Sequence, residues 1–347
     1  VTDISRPVSA ETAAIPKPPR HPSRAILLLG VGLLALMAVS LFVGRYPAPY
    51  FMSPELLRTD DMAWRLVWGL RFPRLIAAAL VGMTLAAAGM VFQTIFANPL
   101  IEPGFLGVSP GAAFGVAFCI VFLGNQAFLV QGFAAFFAVS GLVFSYALAI
   151  RMRFGGWILR LVLAGIAVSA LFSSGLGILK YLADPLSQLP EITFWLLGGL
   201  WNITWDRLLP ILPVVLGSLS VMLLMRWRLN ALGLDDTTAF SLGFAPARER
   251  VVLLFAAVFA TAAVVSVAGM IGWVGLIVPH MARRCFGADC CRAMPAAMLM
   301  GGVLAVGCDD VARCAMAGEM PLGILTSLVG AAGFMILMTS GALQRIK

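Results

Sequence analysis

Leu75 to Phe96 reads LIAAALVGMTLAAAGMVFQTIF, without one charged side chain. A helix rises 1.5 Å per residue, so roughly 20 apolar residues cross the ~30 Å hydrocarbon core of a bilayer. This run meets that length and opens behind two arginines, Arg71 and Arg74. Stretches of the same kind recur on both sides of it. Candidate spans fall at 25–44, 74–96, 105–123, 128–150, 158–179, 208–225, 251–268, 271–284, 296–316 and 321–338. The eighth is short, as expected of a bent or half-crossing helix. Composition agrees: of 347 residues 61% are hydrophobic and 12% charged, against about 45–50% and 25% in soluble domains. Lipid must take the place of the missing polar surface. The expected fold is an all-α polytopic membrane protein of about ten transmembrane helices.

An even number of crossings puts both chain ends on one side. Of the 24 basic residues, 16 fall on that side: Arg6, Lys17, Arg20, Arg24, Arg151, Arg153, Arg160, Arg226, Arg228, Arg248, Arg250, Arg283, Arg284, Arg292, Arg345 and Lys347. The other side holds 8: Arg45, Arg58, Arg65, Arg71, Arg74, Lys180, Arg207 and Arg313. Cytoplasmic loops collect Lys and Arg, so both termini are expected in the cytoplasm. The net charge of +8 is then a matter of topology. No basic run with interleaved aromatics suggests nucleic acid.

Residues 1–23 carry Pro7, Pro16, Pro18, Pro19 and Pro22 and read as a disordered cytoplasmic tail. Residues 24–347 read as one transmembrane domain. The segment from Glu55 to Trp68 fits a surface helix, and Trp195, Trp201 and Trp205 mark another at the membrane boundary. Cys119, Cys285, Cys290, Cys291, Cys308 and Cys314 form no CxxC pair and read as free thiols. His280 stands alone in apolar sequence and reads as structural, so no metal site is expected. Gly82 and Ala86, Gly165 and Ser169, and Gly323, Ser327 and Ala331 are spaced for close helix packing in lipid. The last series is also a candidate seam between subunits.

A phosphate-binding loop needs a lysine after glycine in G-x-x-x-x-G-K-[ST]. Lys17, Lys180 and Lys347 follow Pro16, Leu179 and Ile346, so any ATP-dependent step belongs to a partner. Four further segments are unlike generic membrane sequence. Arg71-Phe72-Pro73-Arg74 leads through Gly89 and Gln93 to Asn98-Pro99-Leu100-Ile101-Glu102-Pro103-Gly104 and Leu106-Gly107-Val108-Ser109. Leu229-Asn230-Ala231-Leu232-Gly233-Leu234-Asp235-Asp236 runs on to Ala239 and Ser241-Leu242-Gly243. Gly269 to His280 is followed by Arg283. Asp309 to Arg313 precedes Glu319-Met320-Pro321-Leu322-Gly323.

In this order the four segments resemble the FecCD family of ABC-importer permeases, which move iron–siderophore complexes, haem and cobalamin. The resemblance runs from about residue 55 to 338. It implies a ten-span permease bundle of the vitamin B12 and siderophore importer kind, working in the bacterial inner membrane beside a second copy of itself. It also implies two cytoplasmic subunits that hold ATP and magnesium, and a periplasmic substrate-binding protein. The loop near 229–247 would couple to the ATPase through Leu229, Asn230, Leu234, Asp235, Asp236, Ala239, Leu242 and Gly243. Either Asp235 or Asp236 can cap the short helix that follows. Arg71, Arg74 and Arg313, on the side where arginine is uncommon, would pair with acidic groups of the binding protein or anchor helix ends to headgroups. Asp309, four residues before Arg313, is placed for a helical ion pair with it.

The same resemblance puts a cytoplasmic gate at Asn98, Pro99 and Leu100 and, before the fifth span, at Ile158 and Leu159. Gly165, Ser169 and Ser173 would line the path, with Ser174 beside them. A secondary transporter driven by an ion gradient is the alternative. It would place ionisable groups in mid-membrane, whereas here the acids cluster at predicted span ends. No catalytic Ser–His or paired-Asp arrangement points to an enzyme.

Overall fold

The computed structural model describes residues 21–47, 50–316 and 318–339. Eight helices in it are long and apolar enough to cross a membrane: Pro22–Ser40, Asp61–Ile95, Ala127–Arg151, Trp157–Leu182, Trp205–Leu224, Pro246–Ala268, Cys290–Cys314 and Leu322–Thr339. Two shorter ones, Val108–Phe122 and Val274–Phe286, complete the ten expected in the third and eighth places. The eighth is short, as its sequence indicated, and has Pro279 inside it. The third is shorter than expected. A 3-10 turn occupies Pro103–Leu106, and Gly107 then takes a left-handed φ of 81° before the helix begins. Glycine adopts that conformation without steric penalty.

The expected tail at 1–23 lies outside the described residues except for 21–23, where the first span already starts at Pro22. The stretch from Glu55 to Trp68 is not a separate surface helix. After a turn at Leu56–Thr59, the chain enters a helix at Asp61 that continues, through a π turn at Val67–Arg71, into the second span. A π turn inserts an extra residue and rotates the following side chains, which sets where Arg71 and Arg74 point. The boundary helix near the tryptophans forms over Gln188–Leu197. A two-stranded hairpin pairs Val43–Gly44 with Tyr50–Phe51.

Burial sorts the spans into two groups. The second, seventh and ninth are 89%, 72% and 56% buried, whereas the first, fifth and sixth are at most 28% buried. The first group forms the centre and the second faces lipid or another chain. Lipid offers no hydrophobic drive between helices, so close backbone approach has to supply the packing. Glycine permits it here. A Cβ on Gly82 would run into the carbonyl of Gly301, and one on Gly301 into that of Gly82 and the Ala86 methyl. Gly89 faces the Gly275 carbonyl of the eighth helix in the same way.

Arg74 lies beside Asp309 and Thr94 beside Cys290, so the second and ninth spans run antiparallel. One face of the bundle therefore carries Ser40, Arg74, Asp309 and Glu319. The other carries Asn230, Asp289 and the Asp236–Ser241 helix. The first span ends on the Arg74 face at Ser40, so its start lies on the Asp236 face.

Of the small-residue series of the tenth span, Ser327 and Ala331 are half-buried. Gly323 packs inside the chain against the carbonyls of Leu197 and Met270. The outward side of that helix carries Leu328, Met335 and Ile336 instead.

Replacing Gly82 by Leu should force the second and ninth spans apart and destabilise the fold by at least about 1–3 kcal/mol, the usual cost of overpacking. Gly217→Ala, in open space, should leave stability unchanged. Unfolding of detergent-purified protein compares the two.

Candidate functional site

On the first face, arginines and carboxylates close into a network. Asp309 is fully buried and ion-pairs with Arg74 at 2.9 Å and with Arg313, one helical turn away, at 3.2 Å. Arg74 reaches past it to Glu319 at 2.8 Å. Arg313 also binds Asp310, which Ser40 contacts through its hydroxyl. Arg313 further donates to the carbonyls of Val43 and Ser40, at 3.1 and 3.3 Å. Arg71 donates to the carbonyls of Leu41 and Tyr46. The first, second and ninth spans, the hairpin and the loop before the tenth span are thereby tied at one point.

The three arginines expected to present charge to a partner are buried, at 6%, 8% and 6% exposure for Arg71, Arg74 and Arg313. Their guanidinium groups are taken up by internal carboxylates and carbonyls, since an unpaired charge at such burial is strongly unfavourable. The Asp309–Arg313 pair is present as its spacing indicated. Glu319, as the second carboxylate on Arg74, was not foreseen. It is half-exposed and is the part of the network that meets solvent.

A second cluster lies toward the other face, where the second span ends. Asn98 folds its side chain back to accept the Leu100 backbone N–H at 2.9 Å, and Ala97 adopts a φ of 47°. Asn98, Leu100, Ile158 and Leu159 line one cavity of about 500 Å³. Pro99 lines a separate small hollow with Leu100, His280 and Phe334. Gln93 donates to the Leu276 carbonyl at 2.9 Å and accepts from Arg283. The Glu102 carboxylate accepts the backbone N–H of Trp273, just before the eighth helix. His280 is buried, and among the described residues no group of three metal-ligating side chains comes together.

The fifth span presents Ser173 and Ser174 on its exposed side. Gly165 and Ser169 do not stand with them. Gly165 is buried against Leu106, and the Ser169 hydroxyl is turned to the Phe105 carbonyl at 3.3 Å. A small residue in a membrane helix serves packing as readily as it widens a path, and here the 103–106 turn fills the space.

A third cluster sits on the Asp236 face. Asp235 caps the Asp236–Ser241 helix, accepting the Thr238 N–H at 3.0 Å and the Thr238 hydroxyl at 2.8 Å. The Thr237 and Thr238 hydroxyls hold the carboxyl down to a pKa of about 2. Asp236 instead binds Arg250 at 2.6 Å, anchoring the helix to the seventh span. Asn230 binds the Asp289 carboxylate and the Cys290 N–H, each at 2.8 Å, anchoring the preceding short helix, Arg226–Leu232, to the ninth span. Leu229 and Ala239 are buried beneath, and Gly243 turns the chain at φ 84°.

Three apolar side chains project from this cluster among exposed Asp236, Thr237 and Ser241: Leu234, Phe240 and Leu242 are 46%, 73% and 62% exposed. Phe240 was missed from sequence, because inside a capped six-residue helix it reads as core.

The chain is a multi-pass helical membrane protein with a short capped helix on one face and a buried arginine–carboxylate network on the other. The chain belongs to the FecCD transport family, whose model matches residues 32–340. That family is the permease part of ABC transporters, a non-enzymatic subunit that works with ATPase and substrate-binding partners. The chain is 35% identical over 322 residues to the molybdate import system permease protein MolB of Haemophilus influenzae, covering 90% of this chain and 95% of that one. It is 35% identical over 330 residues to the hemin transport system permease protein HmuU of Yersinia pestis, covering 92% and 97%. An inward-facing structure of a metal-chelate type ABC transporter superposes with a TM-score of 0.85 at 34% identity, covering 91% of this chain and 99% of that one.

Asp309→Asn should leave Arg74 and Arg313 without their shared countercharge. A loss of about 3–5 kcal/mol is expected for breaking a buried pair from one side, read as a lowered unfolding midpoint. The Asp235 cap responds to pH with a definite sign. Its pKa is depressed on folding, so its contribution is complete above the ordinary carboxylate value near ~3.9 and is lost as pH falls toward about 2. The Thr238 amide resonance should titrate with a midpoint near 2 in the folded protein, and the unfolded peptide with one near ~3.9.

Proposed function

We propose that this chain forms half of the membrane path of a bacterial inner-membrane importer for a metal chelate, with an iron–siderophore complex or haem as the favoured cargo. The single observation that carries the reading is the Asp236–Ser241 helix. It is capped by Asp235, braced by Arg250 and carries exposed Phe240 and Leu242, in a chain whose lysines form no phosphate-binding loop. Such a projection is suited to sit in a groove of a cytoplasmic ATPase and pass on its movement. ATP and magnesium then belong to that partner, two copies of which serve two copies of this chain. The Asp236 face is cytoplasmic on this reading, in line with the distribution of basic side chains, and both termini lie there.

The exposed sides of the fifth and tenth spans, with Ser173, Leu328 and Ile336, are suited to meet a second copy and enclose the path. The turn at Asn98, Pro99 and Leu100 with Ile158 and Leu159 is suited to close its cytoplasmic end, because Leu100 is exposed beside the cavity that four of them share. A periplasmic binding protein would dock over the arginine–carboxylate network. Since Arg71, Arg74 and Arg313 are internal, its acidic groups would reach the network by competing with Glu319 for the outer edge of Arg74. One relative is named for hemin transport and another for molybdate import, and these mark the range from which the cargo class is drawn.

The test is reconstitution with the cognate ATPase and binding protein. The chain alone should turn over no ATP, and the complex should, with stimulation by the loaded binding protein. The double variant Phe240→Ala, Leu242→Ala should weaken ATPase association by at least about tenfold, as expected for losing a central apolar anchor. Unchanged association and uptake would remove this helix from the coupling role.

A further inference from the structure

Two cavities adjoin on the side of the bundle formed by the fourth, sixth and seventh spans. The first, about 520 Å³, lies near the Arg74 face and is polar at its mouth. Asn125, Gln131, Glu191, Asn202, Arg207 and Glu319 contribute to it, beside Trp195 and Trp201. The second, about 590 Å³, is an open apolar groove running down the same side, with Gly132, Phe136, Phe144, Val214 and Phe259 along it. Gln131 and Ser266 border both, so the chamber and the groove adjoin there. Each volume lies within the ~300–1,000 Å³ of small-molecule sites.

The charges in the chamber are unevenly satisfied. Glu319 is held by Arg74. Glu191 accepts one hydrogen bond, from the Asn125 amide at 2.7 Å. Among the described residues the Arg207 guanidinium has no ion-pair or hydrogen-bond partner; only its backbone is engaged, the N–H by the Thr204 carbonyl and the carbonyl by Gln131, each at 3.2 Å. One free guanidinium and one partly free carboxylate therefore share a chamber at the level of the boundary tryptophans, where headgroups lie. The groove below follows the fourth span from Gln131 to Phe144. That is roughly 20 Å at 1.5 Å per residue, enough for an acyl chain to cross one leaflet of a ~30 Å hydrocarbon core.

We propose that this composite cleft is a specific phospholipid site. It holds a lipid whose headgroup joins a phosphodiester to a primary ammonium, as in phosphatidylethanolamine. The phosphodiester pairs with Arg207, for which a guanidinium fork is well suited, and the ammonium with Glu191. One acyl chain fills the groove between the fourth, sixth and seventh spans. The cleft lies away from the exposed serines of the fifth span, so the lipid is a structural ligand and not cargo. The proposal stands whichever solute the protein moves.

Native mass spectrometry of the full-length purified chain tests this, with mixed micelles holding equal amounts of phosphatidylethanolamine, phosphatidylcholine and phosphatidylglycerol. Wild type should retain one phosphatidylethanolamine in preference to the other two. Arg207→Ala should weaken retention roughly tenfold or more, the size of one charge-assisted hydrogen bond. Arg207→Lys should restore most of it. Glu191→Gln should erase the preference for the primary ammonium over choline while leaving phospholipid bound. Gly132, around which there is open space, can be changed to Phe to obstruct the groove and should lower retention of all three lipids. An unaltered unfolding midpoint for each variant separates lipid loss from misfolding. Equal retention by wild type and Arg207→Ala, or a wild-type preference for phosphatidylglycerol or phosphatidylcholine, would overturn the proposal.

Discussion

The contact between Gly82 and Gly301 is the constraint on which the molecule depends. It lets the second and ninth spans touch backbone to backbone, and it sets the register of everything attached to their ends. With that register Asp309 falls level with Arg74 at one end, and Cys290 level with Thr94 at the other. Gly89 against Gly275 adds the eighth helix to the same unit. In lipid such contacts matter more than apolar area, because a leucine gains little by leaving acyl chains for a protein interior. The result is a closely packed centre with a charged plate at one end and the turn at Asn98 and the protruding helix at the other.

Stiffness is what a subunit without its own energy source requires. A push on the Asp236–Ser241 helix is useful only if it is not absorbed where it lands. Asp236 fastens that helix to Arg250 on the seventh span, and Asn230 fastens the preceding short helix to the ninth. Gln93, engaged by Leu276 and Arg283, stands between the ninth-span contact and the turn at Asn98. Packed helices and paired polar groups therefore lie between the protruding helix and the turn at Asn98.

The spans were legible in the sequence because lipid imposes length and apolarity on each crossing, and the short eighth helix announced itself through its length. The Asp235 cap and the Asp309–Arg313 pair were legible because both are local, acting within four residues. What was not legible depended on a third element. Arginine on the face where arginine is uncommon reads as exposed. Only the meeting of the first, second and ninth spans shows that Asp309 and backbone carbonyls consume Arg71, Arg74 and Arg313. Gly165 reads as path lining until Leu106, brought there by the 103–106 turn, is seen to cover it. Phe240 reads as core in a short amphipathic segment, and nothing nearby in the sequence says that its side of the helix is left bare.

The two places where the helices break belong together physically. Residues 97–107 and 269–273 both leave helical geometry within the span region, with positive φ at Ala97, Gly107, Gly269 and Trp273. Irregular backbone at membrane depth survives only where protein or a water-filled cavity surrounds it. Here each break answers the other. The Glu102 carboxylate takes the Trp273 N–H, and Pro103 packs on Gly275. Two breaks that satisfy one another can shift together without exposing an unpaired group to lipid, which either alone would do. Leu100, exposed beside Ile158 and Leu159, stands within the first of these breaks, whereas the rest of the centre is held through glycine contacts and a fully buried carboxylate.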